Sequence, residues 1–293
     1  QVHANDEIAH RQGLPCGKTE MWYLMPSEDD AVIRVGLKKK ITPEEYKQMV
    51  ANNTITDAIA HYNVKAGDCF FLPGGRIHSI GAGCMLVEIQ QTSDCTYRIY
   101  DFNRRDKNGN LRELHTEKAA ECINYEVLPD YRTKYEPRKN QLVLLVDSPV
   151  FTTSVLDMDA PVSLDWQAID SFQILICLSG EGEVQEDDGD GQPMQAGQTY
   201  LFPATTAKER FKGKMQLINT YVKRGSEFTE GSEASEDSET SEHSEISENS
   251  EISEDSEGSE ISEVSEVSEN SEISEKIKRQ ASAYWDACLF LSN

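Results

Sequence analysis

The chain has 293 residues and a formal net charge of −24, from 52 acidic and 28 basic side chains. Residues 226–275 hold 17 Glu, 2 Asp and no Lys or Arg, which leaves only −5 for the rest of the chain. That remainder is an ordinary, mildly acidic body: it carries no basic stripe of the kind nucleic acid requires and no apolar run of about 18 residues that could span a membrane.

The length admits two domains. The chain opens on "QVH", which puts Gln1 and His3 on one face if the segment is extended. "GKTEMWY" at 17–23 reads as the start of a strand, in which alternate side chains share a face. Lys18, Glu20 and Trp22 then point together. A cation, an acid and a large aromatic make a poor apolar core and a reasonable wall for a polar pocket. Further β segments follow at "DAVIRVGL", "CFFLP", "CMLVEIQQ" and "TYRIYDF". One helical insertion, "ITPEEYKQMVANN", interrupts them, with Thr42 as N-cap, Pro43 at the first helical position and Glu45 closing a capping box. Residues 126–140, polar and holding two prolines, read as a linker. Residues 141–224 are again β-rich ("QLVLLV", "FTTSVLDM", "SFQILICLSGEGEVQ", "TYLFPA", "MQLINTYV"). From 225 to 275 the chain is a Ser-Glu-X triplet repeat, whose low hydrophobicity and single-sign charge predict a disordered tail. No partner is assigned to it, and residues 276–293 are unassigned.

Seven cysteines (16, 69, 84, 95, 122, 177 and 288) form no CxxC pair and no regular framework. They read as free thiols in a reducing compartment, and the expected location is cytoplasmic.

An internal repeat organises the body. Gly67-Asp-Cys-Phe-Phe-Leu-Pro73, ending five residues later at His78, lies over Gly197-Gln-Thr-Tyr-Leu-Phe-Pro203, ending five residues later at Lys208. Lysine is not a usual zinc ligand, so only the first copy is competent for metal.

The pattern G-x5-P-x-G-x2-H at 67–78 resembles the second motif of the cupin fold, and "LICLSGEGEV" at 175–184 resembles a first cupin motif without its histidines. The implied fold is all-β: two cupin-type β-barrels (jelly rolls) at 1–125 and 141–224, with a small helical insertion in the first, followed by the acidic tail. The wording is closer still. "QVHANDEIA", "GKTEMWY", "GDCFFLPGGRIHSIGAG" and "VEIQQTSDCTYRIYDFNRRDKNGNLRELH" resemble, in order, the type I mannose-6-phosphate isomerases in their short bacterial two-cupin form. The resemblance implies a zinc-dependent aldose–ketose isomerase that interconverts mannose 6-phosphate and fructose 6-phosphate through a cis-enediolate, with one zinc per chain. It implies His3, Glu20 and His78 as metal ligands, Gln1 as a further one, Arg98 as a catalytic arginine and Lys18 as a lysine lining the active site. It also implies a further N-terminal segment that builds part of the first barrel, so this chain is expected to be N-terminally truncated.

Plainer roles stand beside these. Arg98 could pair with Asp94 or Asp101, and Lys18 could be a solvated strand-end residue. The base that moves the proton is not identified; Lys18, depressed by a nearby zinc, is one candidate. His10, His61, His115 and His243 join no constellation. The alternative function is a zinc-binding cupin module that binds a sugar phosphate without turnover.

Overall fold

The computed structural model describes residues 1–222. The Ser-Glu repeat and residues 276–293 lie outside the described residues. In chain order the first part contains α1 (Asp6–Arg11), β1 (Glu20–Leu24), β2 (Val32–Leu37), α2 (Pro43–Ala51), a 3-10 turn (Ile55–Ala58), β3 (Ile59–Asn63), β4 (Cys69–Leu72), β5 (His78–Ile80), β6 (Leu86–Gln90) and α3 (Thr116–Cys122). Two antiparallel sheets form, ordered β4-β1-β6 and β3-β2-β5. The inward face of each contributes to one core, where Trp22, Leu24, Phe70 and Leu72 meet Ile33 and Val35. The other face of β1 turns Met21 and Tyr23 the opposite way, as the two-residue period of a strand requires.

The second part holds β7 (Leu142–Asp147), β8 (Thr152–Met158), β9 (Val162–Asp165), β10 (Gln173–Glu186), β11 (Gln192–Gln195), β12 (Thr199–Phe202) and β13 (Lys208–Tyr221). Its main sheet runs β11-β10-β13-β8-β7, with β12 on β10 and β9 on β13. Its own core includes Leu156, Leu175, Phe211 and Leu217. A further apolar layer joins the two parts: Met21, Tyr23, Val87 and Ile89 pack against Val155, Ile176, Leu178 and Ile218.

The expected helix at 41–53 is α2, with both arms of the capping box formed between Thr42 and Glu45. It is not alone. α1 starts at Asn5, whose side chain accepts from the Ile8 amide. At six and seven residues, α1 and α3 are too short for a helical period to stand out in the sequence. The segment 96–102, expected as a strand, pairs only through an isolated bridge between Val2 and Tyr97. The backbone of Arg98 is taken instead by His115: the Arg98 amide donates to His115 Nδ1 at 3.0 Å, and the His115 amide donates to the Arg98 carbonyl at 2.8 Å. Residues 126–140 form no named strand but lie against the first sheets, with the Tyr131 hydroxyl buried on Leu37 and the Tyr135 hydroxyl donating to the Gly67 carbonyl at 2.7 Å.

The internal repeat is a repeat of geometry. Gly67 and Gly197 both adopt left-handed φ, +87° and +85°, a conformation that favours glycine. The Arg76 amide donates to the Pro73 carbonyl at 3.1 Å, and the Thr206 amide to the Pro203 carbonyl at 3.0 Å. Register carries the match further. Leu72 pairs with Glu20, while Phe202, its counterpart before the proline, pairs with Gln173. The second copy therefore has an amide where the first has a carboxylate. Gln173 is buried and accepts from Asn219 Nδ2 at 2.8 Å. Lys208, the counterpart of His78, is exposed.

The next residue, Glu209, is fully buried with no hydrogen bond formed at either oxygen. Burial pushes its carboxyl from 4.5 up to about 7; Trp166 opposes the rise and the charges of Glu186 and Asp187 add to it. A carboxyl whose folded pKa is raised holds its extra proton in the folded state, so its contribution to stability is full below pH 4.5 and is lost as pH rises to about 7. Wild type is therefore expected to lose about 1–3 kcal/mol more stability than Glu209→Gln between pH 4.5 and 8, read from urea midpoints. Parallel pH profiles for the two proteins would show that Glu209 ionises without penalty.

Candidate metal centre

His3 reaches the centre because two glycines let its segment approach. A Cβ on Gly17 would meet the Asn5 carbonyl carbon at 2.5 Å, and one on Gly74 would meet the Asn5 Cα at 2.6 Å. The segment is then pinned from both sides: the Lys18 amide donates to the Ala4 carbonyl at 3.0 Å, and the Gly75 amide to the His3 carbonyl at 2.7 Å. The glycines of "GKTE" and "PGG" thus bring three separate stretches of chain to one point.

At that point His3, Glu20 and His78 are all buried, with one ligand atom from each within 4.8 Å of the others. Among the described residues this is the one such group of three. His3 Nδ1 faces the Cys95 carbonyl at 2.6 Å and His78 Nδ1 faces the Arg76 carbonyl at 2.9 Å. A carbonyl only accepts, so each Nδ1 carries a hydrogen, and in the neutral ring each Nε2 presents a lone pair. Those lone pairs lie 3.1 and 3.3 Å from the Glu20 oxygens, neither of which has a formed hydrogen bond. Lone pairs turned on a carboxylate repel unless a cation lies between them, so the donor set fits a metal ion. The Gln1 amide nitrogen lies 3.0 Å from His78 Nε2 and 3.5 Å from His3 Nε2. Turning that amide over would present its oxygen to the same point.

The electrostatics agree. Burial pushes the His78 imidazole down to about 3, so it is neutral at pH 7. Burial alone would raise the Glu20 carboxyl; positive charge at this point, from the imidazoles when protonated or from the Lys18 ammonium 3.1 Å from Oε1, lowers it, and a metal ion held by neutral imidazoles would act in the same direction. Trp22 forms the wall expected of it: its ring sits edge-on to His78 with centroids 5.3 Å apart. Arg98 pairs with neither Asp94 nor Asp101. Its guanidinium donates to the Glu113 carbonyl at 2.9 Å, while Asp101 is held by Arg104 and Arg112.

Two residues of the site escaped the sequence reading. Glu88 on β6 stands opposite Trp22 and accepts from its indole nitrogen at 2.7 Å. Burial, then the charge of Glu20, pushes its carboxyl up to about 7. A single acid in the apolar run "MLVEI" was the available signal. His115 positions Arg98 by clamping its backbone, a long-range role with no sequence signature beyond the adjacent "RELH".

Two packed jelly-roll barrels, one enclosing a buried His-Glu-His cluster that could hold a metal ion, define a two-cupin protein. No family model matches the chain. Over 226 residues it is 32% identical to the mannose-6-phosphate isomerase ManA of Bacillus subtilis strain 168, covering 76% of this chain and 70% of that protein. Over 222 residues it is 30% identical to the mannose-6-phosphate isomerase of Streptococcus mutans, covering 75% of this chain and 69% of that one. The crystal structure of the Bacillus subtilis mannose 6-phosphate isomerase superposes with a TM-score of 0.67 at 28% identity, over 75% of this chain and 69% of that one. The phosphomannose isomerase of Salmonella typhimurium shares the fold, with a TM-score of 0.60 at 14% identity over 76% of this chain and 75% of that one. The chain belongs to the mannose-6-phosphate isomerase family.

Proposed function

We propose that the chain interconverts mannose 6-phosphate and fructose 6-phosphate, with one zinc ion held by His3, Glu20, His78 and Gln1. The observation that carries this reading is the buried, lone-pair-rich His-Glu-His cluster with Lys18 beside it, in a chain of this family. Two neutral imidazoles, a carboxylate and an amide oxygen suit zinc and leave room for substrate. When bound, zinc supplies Lewis-acid polarisation of substrate oxygens.

The chain's own groups account for the rest. A base takes the proton from C2, the C2–H electrons form the C1–C2 double bond, and charge develops on the C1 oxygen. The proton returned to C1, with transfer of the hydroxyl hydrogen between the oxygens, completes the ketose. Lys18, 3.1 Å from Glu20, and Glu88, whose carboxyl feels the Glu20 charge, are the candidate proton carriers outside the ligand set; a carboxyl at about 7 exchanges protons readily at neutral pH. The planar Arg98 guanidinium stabilises the enediolate or the phosphate. The second barrel, with Gln173 in the place of Glu20 and Lys208 turned outward, holds no zinc in this reading.

An enzyme-linked assay with mannose 6-phosphate as substrate and fructose 6-phosphate detected tests the proposal; absence of turnover in zinc-loaded protein would contradict it. Arg98→Lys is expected to keep its zinc and lose about 10²–10³-fold in kcat, because lysine keeps the charge and not the planar fork. Near-normal turnover in that variant would make Arg98 a scaffold residue.

A further inference from the structure

A large cavity lies elsewhere, between the two barrels. It encloses about 730 Å³ and is lined by β1 and β4, by residues 130–138, and by β7, β8 and β13. None of His3, Lys18, Glu20, His78 and Arg98 borders it. Its size and its place at a junction between two barrels are those of a small-molecule site.

The charge around it is unbalanced. Its three carboxylates are already engaged: Asp68 and Asp130 by Arg132 at 3.5 and 3.9 Å, and Asp157 by Lys139 at 2.6 Å. Of its four cations, Arg132 serves two of those carboxylates, and two are unpaired. The ammonium groups of Lys65 and Lys134 have no ion-pair or hydrogen-bond partner, and Arg138 reaches only the exposed Glu136, at 3.6 Å. Four cations against three carboxylates leave a small local excess of positive charge in a body of net negative charge, which attracts anions. Neutral polar groups complete the lining and hydrogen-bond within the protein. Burial raises both the Tyr23 and Tyr135 hydroxyls, so they remain protonated, and Gln216 Nε2 lies 3.3 Å from the Tyr23 hydroxyl. Unpaired lysine ammonium groups at the rim match a small phosphate-bearing anion.

We propose that this cavity is a second ligand site, built for a small phosphate-bearing anion and separate from the metal centre. β1 connects the two: Tyr23 faces the cavity while Glu20 and Trp22, on its other face, border the cluster. The proposal does not rest on the isomerase reading.

Inorganic phosphate titrated into the full chain at low ionic strength, followed by calorimetry, tests it. Charge reversal at two exposed positions, Lys65→Glu with Lys134→Glu, is expected to weaken phosphate binding at least tenfold while zinc content and turnover persist. Glu20→Ala, which disrupts only the cluster, is expected to retain that binding. The milder pair Lys65→Ala with Lys134→Ala is expected to fall between. Phosphate binding unchanged by charge reversal, lost in Glu20→Ala alone, or undetectable in wild type would each overturn the proposal.

Discussion

Glu20→Ala is expected to yield a folded protein that retains under about a tenth of the wild-type metal and turns over at least about 10²–10³-fold more slowly. Glu20 is the one anion among the three clustered side chains, and both of its oxygens face imidazole lone pairs. Without it two neutral imidazoles and an amide remain, short of the set that holds zinc tightly. The fold should survive, because alanine removes a buried charge whose only oppositely charged neighbour is Lys18, itself 13% exposed and able to turn toward water. Elemental analysis and the enzyme-linked assay read the two effects separately. Stoichiometric metal in the variant would remove Glu20 from the ligand set.

Trp22→Ala is expected to cost about 3–5 kcal/mol of stability, the range for truncating a large buried aromatic. The ring is 0% exposed and fills the space between the two sheets of the first barrel. The indole also donates to Glu88 at 2.7 Å, and that bond opposes the rise of the Glu88 carboxyl. The variant should therefore lose both packing and the setting of an acid beside the metal centre. Trp22→Phe, which restores apolar volume without the donor, is expected to recover most of the stability and to leave the Glu88 carboxyl raised further. Denaturant midpoints measure the first effect and the pH profile of kcat the second. A loss under about 1 kcal/mol for Trp22→Ala would mean that the sheets close over the gap.

What was legible in the sequence was local. The alternation of "GKTEMWY" placed Glu20 and Trp22 on one face, and β1 keeps them there. The Thr42–Glu45 box is a three-residue relation, and α2 begins on it. The repeat ending at His78 and Lys208 was visible because its spacing is fixed, and left-handed glycines and matching turns explain that spacing. What was not legible depends on contacts distant in sequence. Arg98 lies in a run with the composition of a strand, yet a histidine 17 residues on takes its backbone groups. The exchange of Glu20 for Gln173 between the barrels emerges only from register, since no shared motif spans those residues. The cavity between the barrels draws its charges from three stretches of chain that carry no common pattern.

The central claim is that a metal held by His3, Glu20 and His78 is required for isomerisation. Removing metal from the purified chain with a chelator, dialysing, and adding back one equivalent of zinc tests it most directly, with mannose 6-phosphate turnover followed throughout. The account predicts that turnover disappears with the metal, returns at a stoichiometry near one zinc per chain, and never appears in Glu20→Ala. Undiminished turnover in metal-free protein would contradict it.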